Sequence, residues 1–420
     1  MVALAFSRLE SGPDAPKAKP VVAAEPRYWK GNLHTHSLWS DGDDFPEMIA
    51  DWYKQKGYDF LALTDHNILS DGVKWIDVTE KGTRPLAVKK YRERFGDAWV
   101  ETRSVKDKDK NKEQVRLKPL AEFRSLLEEP GKFLLIQGEE ITHRYAKLPV
   151  HMNAINVRDA VKPVDGPSVA ETIQVNHRLV AEAMKKSGWR TLTSLNHPNF
   201  GWGVRAEDML VEELRFFEVY NGHPSVKNYG DDVHASSERM WDIILALRLA
   251  KLDLPIVYGL ATDDAHSYHA YGVGKTNPGR GWVMVKATPL TGEAIVTAME
   301  RGDFYATTGV KLREVRRDKS GLALEIDAEP GVTYKTQFIV TFKDAPLDAK
   351  AQVDAKGNPV TAVYSAEIGK IVAETEGPSA AYRFKGNELY VRAKVLSSKP
   401  HPNPYQKGDR EVAWTQPARP

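Results

Sequence analysis

Short apolar runs recur along the chain, and each ends in a polar cluster rather than in a plain turn. The runs are "YWKGNLHTH", "YDFLALTDHN", "KFLLIQGEEIT", "VHMNAINV", "RTLTSLNHP", "LRFFEVYNG" and "LPIVYGLATDDAH". Between several of them the apolar spacing lengthens to a helical period. Phe45 to Lys56 is one such segment, with Pro46 near its first turn and Ile49, Trp52 and Tyr53 on one face. Val169 to Lys186 and Glu238 to Lys251 are two longer ones. Strand–helix alternation with buried strands predicts a parallel α/β architecture. Polar clusters at the C-terminal ends of those strands place a site where α/β barrels build theirs.

Two stretches break the alternation. Within 71–130, the charge run "SVKDKDKNKEQVRLK" reads as an inserted solvated loop or hairpin, with a lid over the site as the alternative. After about Gly309, "GLALEIDAEP", "YKTQFIVTFKD", "SAEIGKIVAET" and "AAYRFKGNELYVRAKVLSS" alternate with turn residues. They predict a small all-β, sandwich-like domain over 311–420, with a Pro-rich tail along its surface. Residues 1–26 are rich in Pro, Ala and Lys, with a charge order wrong for a secretory signal, and read as a leader without structure. That leaves 27–310 as the main unit. No run of about 18 apolar residues occurs, so no membrane-spanning helix is predicted.

The bulk numbers narrow the chemistry. The 420 residues include no cysteine, which excludes disulfides, thiolate zinc sites and cysteine nucleophiles. A net charge of +2 argues against a nucleic-acid partner held by a large basic field.

Histidine is where the sequence becomes specific. His34, His36, His66, His151, His197 and His266 fall at strand ends, accompanied by Asp41, Asp65, Glu139, Glu140, Asp263 and Asp264. Neutral imidazole and carboxylate are ligands for zinc, manganese and iron ions. In an extended chain, residues i and i+2 face the same side, so His34 and His36 can grip one ion, and "DAH" at Asp264 to His266 repeats the geometry. A lone histidine near a strand end is more often a hydrogen-bonded structural residue. Two such pairs, with single ligands from the strands between, point to metal, because so many buried titratable groups without a cation would be costly to desolvate. His143, His177, His234 and His401 lack this setting, while His223 and His269 read as pocket-lining residues. Lys275 and Arg280 in "GVGKTNPGRGW" and Arg205 in "NFGWGVR" offer positive charge for a phosphate. Trp202, Tyr220, Tyr268 and Tyr271 offer an apolar wall for a leaving group.

Taken in order, "HTHSLWSDG", "LALTDHN", "GEEI" with "VHMNAI", "NHP" and "TDDAH" resemble the motifs of the PHP (polymerase and histidinol phosphatase) superfamily over about Tyr28 to Gly309. The resemblance implies a distorted (β/α)7 barrel, here followed by the β domain, and a centre of two to three divalent ions (Mn, Zn or Fe) with no organic cofactor. It implies that His34, His36, Glu140 and Asp264 hold a first ion, and that Asp41, His66 and His266 hold a second. Glu140 would bridge to a third held also by His151 and His197, with Asp65, Glu139 and Asp263 supporting these ligands.

The activity so implied is a metal-dependent phosphoesterase of the stand-alone type. A hydroxide held by the metals would attack the phosphate ester of a small molecule, and Asp264 or His197 would carry the proton to the leaving group. Two alternatives use the same residues differently: a hydrolase of carboxylic or carbamate esters, and a cell-surface binding protein with a vestigial barrel. By analogy with the exported branch of that family, the appended β domain points to an extracytoplasmic protein, with the cytosol left open.

Overall fold

A computed structural model describes residues 25–78, 82–107 and 110–420. The first 24 residues, and with them nearly all of the expected leader, lie outside that description. Arg27–Asn32 (β1), Pro46–Gln55 (α1) and Phe60–Leu63 (β2) open the chain. An insertion follows, made of Lys74–Asp77 (β3), Arg84–Phe95 (α2), Thr102–Asp107 (β4), Lys110–Leu117 (β5) and Leu120–Leu127 (α3). Then come Leu134–Tyr145 (β6), Leu148–Ile155 (β7), Val169–Ser187 (α4), Leu192–Leu195 (β8), Phe216–Asn221 (β9), Ser237–Ala250 (α5) and Tyr258–Thr262 (β10). Trp282–Ala287 (β11), Gly292–Glu300 (α6) and Phe304–Thr307 (β12) complete the mixed region.

Local rules explain the helix bounds. In α1, Pro46 occupies the first turn, and Ile49 and Tyr53 are buried. α4 starts where the Ser168 hydroxyl accepts the Glu171 N–H, and stops at Gly188, whose φ of 73° suits the left-handed cap.

The strands join in one sheet of order β10-β9-β8-β7-β6-β2-β1-β11-β12, which continues into C-terminal strands. β1, β2 and β6 are parallel neighbours, as are β8, β9 and β10. The distorted (β/α)7 barrel expected from the sequence is not closed by a strand ladder: β1 and β10 are joined, just beyond their ends, by the isolated parallel bridge of Thr35 with Ala265. Two features depart from a regular barrel. β6 and β7 fold back as an antiparallel hairpin, and β11 and β12 lead antiparallel from β1 out of the parallel region. The edge of β10 is instead capped by one side chain: the Gln416 amide accepts the Gly259 N–H and donates to the Gly259 carbonyl.

The C-terminal strands are Leu312–Asp318 (β13), Gly321–Ile326 (β14), Tyr334–Phe342 (β15), Ala349–Lys350 (β16), Val363–Tyr364 (β17), Lys370–Glu376 (β18), Ser379–Arg383 (β19), Glu388–Pro400 (β20) and Arg410–Thr415 (β21). β13, β14 and β19 form a small sheet, and its Leu312, Leu322, Leu324 and Tyr382 pack on Phe338, Val340, Val391 and Ala393 of the large one. The tail differs from its expected surface path. β21 is inserted between β12 and β20, with Ala413, Trp414 and Thr415 buried, so the last strand ties the C-terminal strands to the mixed region. Its alternation of Val412, Trp414 and Gln416 with smaller residues is short and is masked in the sequence by the flanking prolines.

The charged insertion contains the expected hairpin, β4 with β5, to which β3 adds a third strand. Its apolar face is docked, not free. Ile76, Ala87, Val88, Tyr91, Val115 and Leu117 pack against Leu38, Trp39 and Phe45, with Phe45 stacked on Tyr91 at 4.0 Å. The insertion thus braces the loop that carries Asp41. Among the described residues no helix is long and apolar enough to cross a membrane.

Candidate metal centre

β1 and β10 end just before the two i, i+2 motifs, and those motifs meet. Thr35 pairs with Ala265 in an isolated parallel bridge, through the His36 N–H to the Ala265 carbonyl (3.0 Å). The Asp264 N–H reaches the His34 carbonyl (3.1 Å). This short pairing lays His34 beside Asp264 and His36 beside His266. Asp264 adopts a φ of 50°, a conformation that costs a non-glycine residue about 1 kcal/mol or more and that turns its carboxylate back onto the imidazoles. A similar bridge, His66 with Glu140, brings β2 and β6 together. His151 lies near the start of β7, not at a strand's end. Because β7 runs antiparallel to β6, that start is on the same rim as Glu140.

Glu140 is the hub. Its carboxylate oxygens lie 3.4 Å from His34 Nε2, 3.5 Å from His36 Nε2, 2.6 Å from His66 Nδ1, 3.1 Å from His151 Nδ1 and 3.3 Å from His197 Nε2. Asp264 Oδ1 lies 3.3 Å from His34 Nε2 and 3.1 Å from His36 Nε2. At the outer side, Asp41 faces His266 Nε2 at 3.3 Å, His66 Nε2 at 3.6 Å and His36 Nδ1 at 3.7 Å. Four groups of side chains have candidate ligand atoms within 4.8 Å of one another: His36, Asp41, His66 and His266; His34, His36 and Glu140; His66, Glu140 and His151; and His34, His197 and Glu218. They share residues, and Asp264 adjoins them, so the structure brings all nine sequence-predicted ligands into one continuous centre.

The donor atoms fit a cation. His34 Nε2 and His36 Nε2 are fully buried and make no well-formed hydrogen bond, an arrangement costly unless an ion completes it. Protons fill that role in the free chain. Burial alone disfavours the charged form of His66, but Glu140 and Asp41 outweigh it and raise its pKa to about 10. Burial likewise works against charge on His34, His197 and His266, and neighbouring carboxylates lift all three above the ordinary imidazole range. Glu140 and Asp264 are held well below the usual carboxylate range: burial opposes this, and the surrounding imidazoles prevail. His36 and His151 go the other way: burial and the neighbouring His266 push His36 down to about 3, and burial, with His197 and His66, lowers His151.

The three residues expected to support ligands divide. Asp65 accepts the Ser37 N–H and the Ser37 and Ser40 hydroxyls, and so shapes the loop before Asp41. Asp263 accepts from Asn32, from Tyr53 at 2.7 Å, and from the N–H groups of Gly279, Arg280 and Gly281. Glu139 needs correction: strand alternation turns it away from Glu140, where it accepts the Val161 N–H.

The rim also differs from expectation. Arg280 is fully buried, and its guanidinium donates to the carbonyls of Gly222, Gly272 and Lys275, so it is not placed to clamp a phosphate. Arg205 is committed to Asp208 through two hydrogen bonds. His269 is held between Lys90 and the Asp43 carbonyl. Lys275 is exposed. His223 does adjoin the cluster, its ring 5.5 Å from that of His266. In the aromatic wall, Tyr268 donates to the carbonyls of His36 and Ala265, and Trp202 stacks on His234 at 3.8 Å.

One residue escaped the sequence reading. Glu218, fully buried in β9, lies 2.7 Å from His34 Nδ1. Its signal was a carboxylate set between Phe217 and Val219 in a wholly buried strand.

No family model matches the chain, and no curated protein matches it. Solved structures do. One is a two-domain protein from Bacteroides vulgatus containing a predicted PHP-like metal-dependent phosphoesterase, 16% identical, covering 96% of this chain and 100% of its own, with a TM-score of 0.37. Another, from Bifidobacterium adolescentis and provisionally named a metal-dependent phosphoesterase, is 14% identical and covers 60% of this chain and 91% of its own, with a TM-score of 0.29. Neither superposition is close enough to transfer a residue role.

Proposed function

We propose that the protein is a metal-dependent phosphoesterase that hydrolyses a small phosphate ester at the Glu140 centre. The observation that carries this reading is a single buried carboxylate with five imidazoles within 3.5 Å of it. Divalent cations in such a setting supply a nucleophilic water at neutral pH, neutralise phosphoryl oxygens and stabilise the leaving oxygen. His34, His36, Glu140 and Asp264 would hold one ion, Asp41, His66 and His266 another, and His151 and His197 would complete a third around Glu140.

The remaining roles follow from proton positions. His197 Nε2, 3.8 Å from Asp264 Oδ2, and Asp264 itself are assigned the transfer of a proton to the leaving group. His223 accepts the Ser225 N–H at Nδ1, so its own proton sits on Nε2, and burial lowers its pKa to about 4. A neutral ring that carries its hydrogen on Nε2 is suited to donate to a substrate oxygen, not to act as a base.

The test is a screen of manganese-loaded protein against aryl phosphates, phosphodiesters, aryl carbamates and carboxylic esters. Turnover of a phosphate ester that is lost in H36A supports the proposal. One observation favours the second reading, an uncharged ester or carbamate: Arg205 and Arg280 are both engaged within the protein. Carbamate turnover without phosphate turnover would replace the first reading with the second.

A further inference from the structure

Glu218 sits within reach of His34 and His197 ligand atoms, yet every acceptor position on its carboxylate is taken. Oε1 faces His34 Nδ1 at 2.7 Å and accepts the Thr262 hydroxyl at 2.8 Å. Oε2 accepts the His197 backbone N–H at 2.8 Å and the Asn221 amide at 2.8 Å. A carboxylate offers about four lone-pair positions, and four donors occupy them. Glu218 is therefore poorly placed to bind an ion itself.

We infer that Glu218 is a positioning residue that decides which nitrogen of His34 faces the centre. With the Thr262 hydroxyl, the His197 N–H and the Asn221 amide all donating to it, the Glu218 carboxylate serves as an acceptor, so the His34 proton is drawn to Nδ1. That leaves the Nε2 lone pair directed at Glu140 and Asp264, 3.4 and 3.3 Å away. The same carboxylate holds the backbone of His197, so one group from β9 orients ligands on two other segments. The inference rests on the metal-centre reading.

The surroundings make the isosteric variant E218Q informative. The His197 N–H is a fixed donor. The Asn221 amide is also pinned, since its nitrogen donates to Asp264 Oδ2 at 3.1 Å and its oxygen accepts the His223 N–H at 2.8 Å. Both donors require the oxygen of the substituted side-chain amide on their side. Its NH2 group must then face His34 Nδ1, which becomes an acceptor, and the His34 proton moves to Nε2, where it blocks metal. A purely space-filling role would survive this change.

Zinc serves as the probe. Zinc-loaded wild-type protein with labelled histidine should show His34 with a hydrogen-bonded Nδ1–H and a metal-shifted Nε2 in its nitrogen-15 spectrum. In E218Q that Nδ1–H signal should vanish, with zinc affinity about 10–100-fold weaker by titration. T262V, which removes a neutral bond to the same oxygen and leaves the acceptor in place, should keep the His34 pattern. A metal-shifted Nδ1 in the wild type would overturn the inference without any variant, as would wild-type affinity and pattern in E218Q. If the wild type takes up no zinc at all, the metal-centre reading fails first and this inference with it.

Discussion

Asp263 and Asp264 are neighbours in the chain and both are buried, yet they belong to opposite kinds of site. Asp263 is surrounded by neutral donors: an amide, a phenol and three backbone N–H groups. Burial dominates there and raises its pKa in spite of those bonds. Asp264 faces His34, His266 and His197, whose positive charge, together with a hydrogen bond from His36, overrides burial and holds its pKa well down. One carboxylate closes a structural node; the other stands in a field that a metal ion can take over from protons. The charge of the surrounding groups, more than burial or residue type, separates the two.

The sharpest way to test that contrast is to neutralise each in turn. D264N should fold but lose at least one bound ion per chain, with kcat/KM on an aryl phosphate falling about 1,000-fold or more. D263N puts an amide against fixed donors, so it should cost about 3 kcal/mol of stability by thermal or urea unfolding, with metal content retained in the folded fraction. Equal losses of metal in both variants would break the comparison.

Removing the metal comes next in size. At a metal concentration about 1,000 times its Kd, binding stabilises the fold by about 4 kcal/mol, so chelation should lower the melting temperature of the wild type and restoring metal should raise it. D264N should respond less to either step.

Acidity should act through the raised histidines. Metal must displace the His66 proton, held up to a pKa of about 10, so affinity should rise with pH between about 6 and 9 and metal uptake should release protons. In the metal-free protein the sign is opposite. Stability from His66 is fully present below its ordinary imidazole value and is lost as pH rises through about 10. Titration calorimetry in buffers of different ionisation enthalpy reads the first effect, and pH-dependent melting the second.

The smallest expected effect is at Glu139. Burial raises its pKa to about 7, so stability falls as pH rises from its ordinary glutamate value through about 7, where the buried group must ionise. E139Q should therefore melt higher than the wild type at about pH 8, by about 1 kcal/mol, and lose no metal.

Much of this centre was legible because imidazole and carboxylate at strand ends are costly without a purpose, and His34/His36 and Asp264/His266 carry the i, i+2 spacing openly. Arg280 and Arg205 misled because a cation near a glycine-rich rim looks free in one dimension. Only the fold reveals the carbonyls and the Asp208 carboxylate that engage them. Glu218 was missed for the converse reason: its partners come from segments at the ends of β1, β8 and β10, and no local pattern joins them.

Residue type and spacing are written in the covalent chain, so the sequence by itself determined the alternation of strands and helices, the inserted hairpin and the set of metal-seeking side chains. The tertiary structure alone decided that β7 turns back beside β6, that β21 enters the large sheet in place of a surface tail, and which buried polar atoms are saturated and which are bare. Those outcomes depend on partners far apart along the chain, and a hydrogen bond or an empty lone pair exists only once such partners have met.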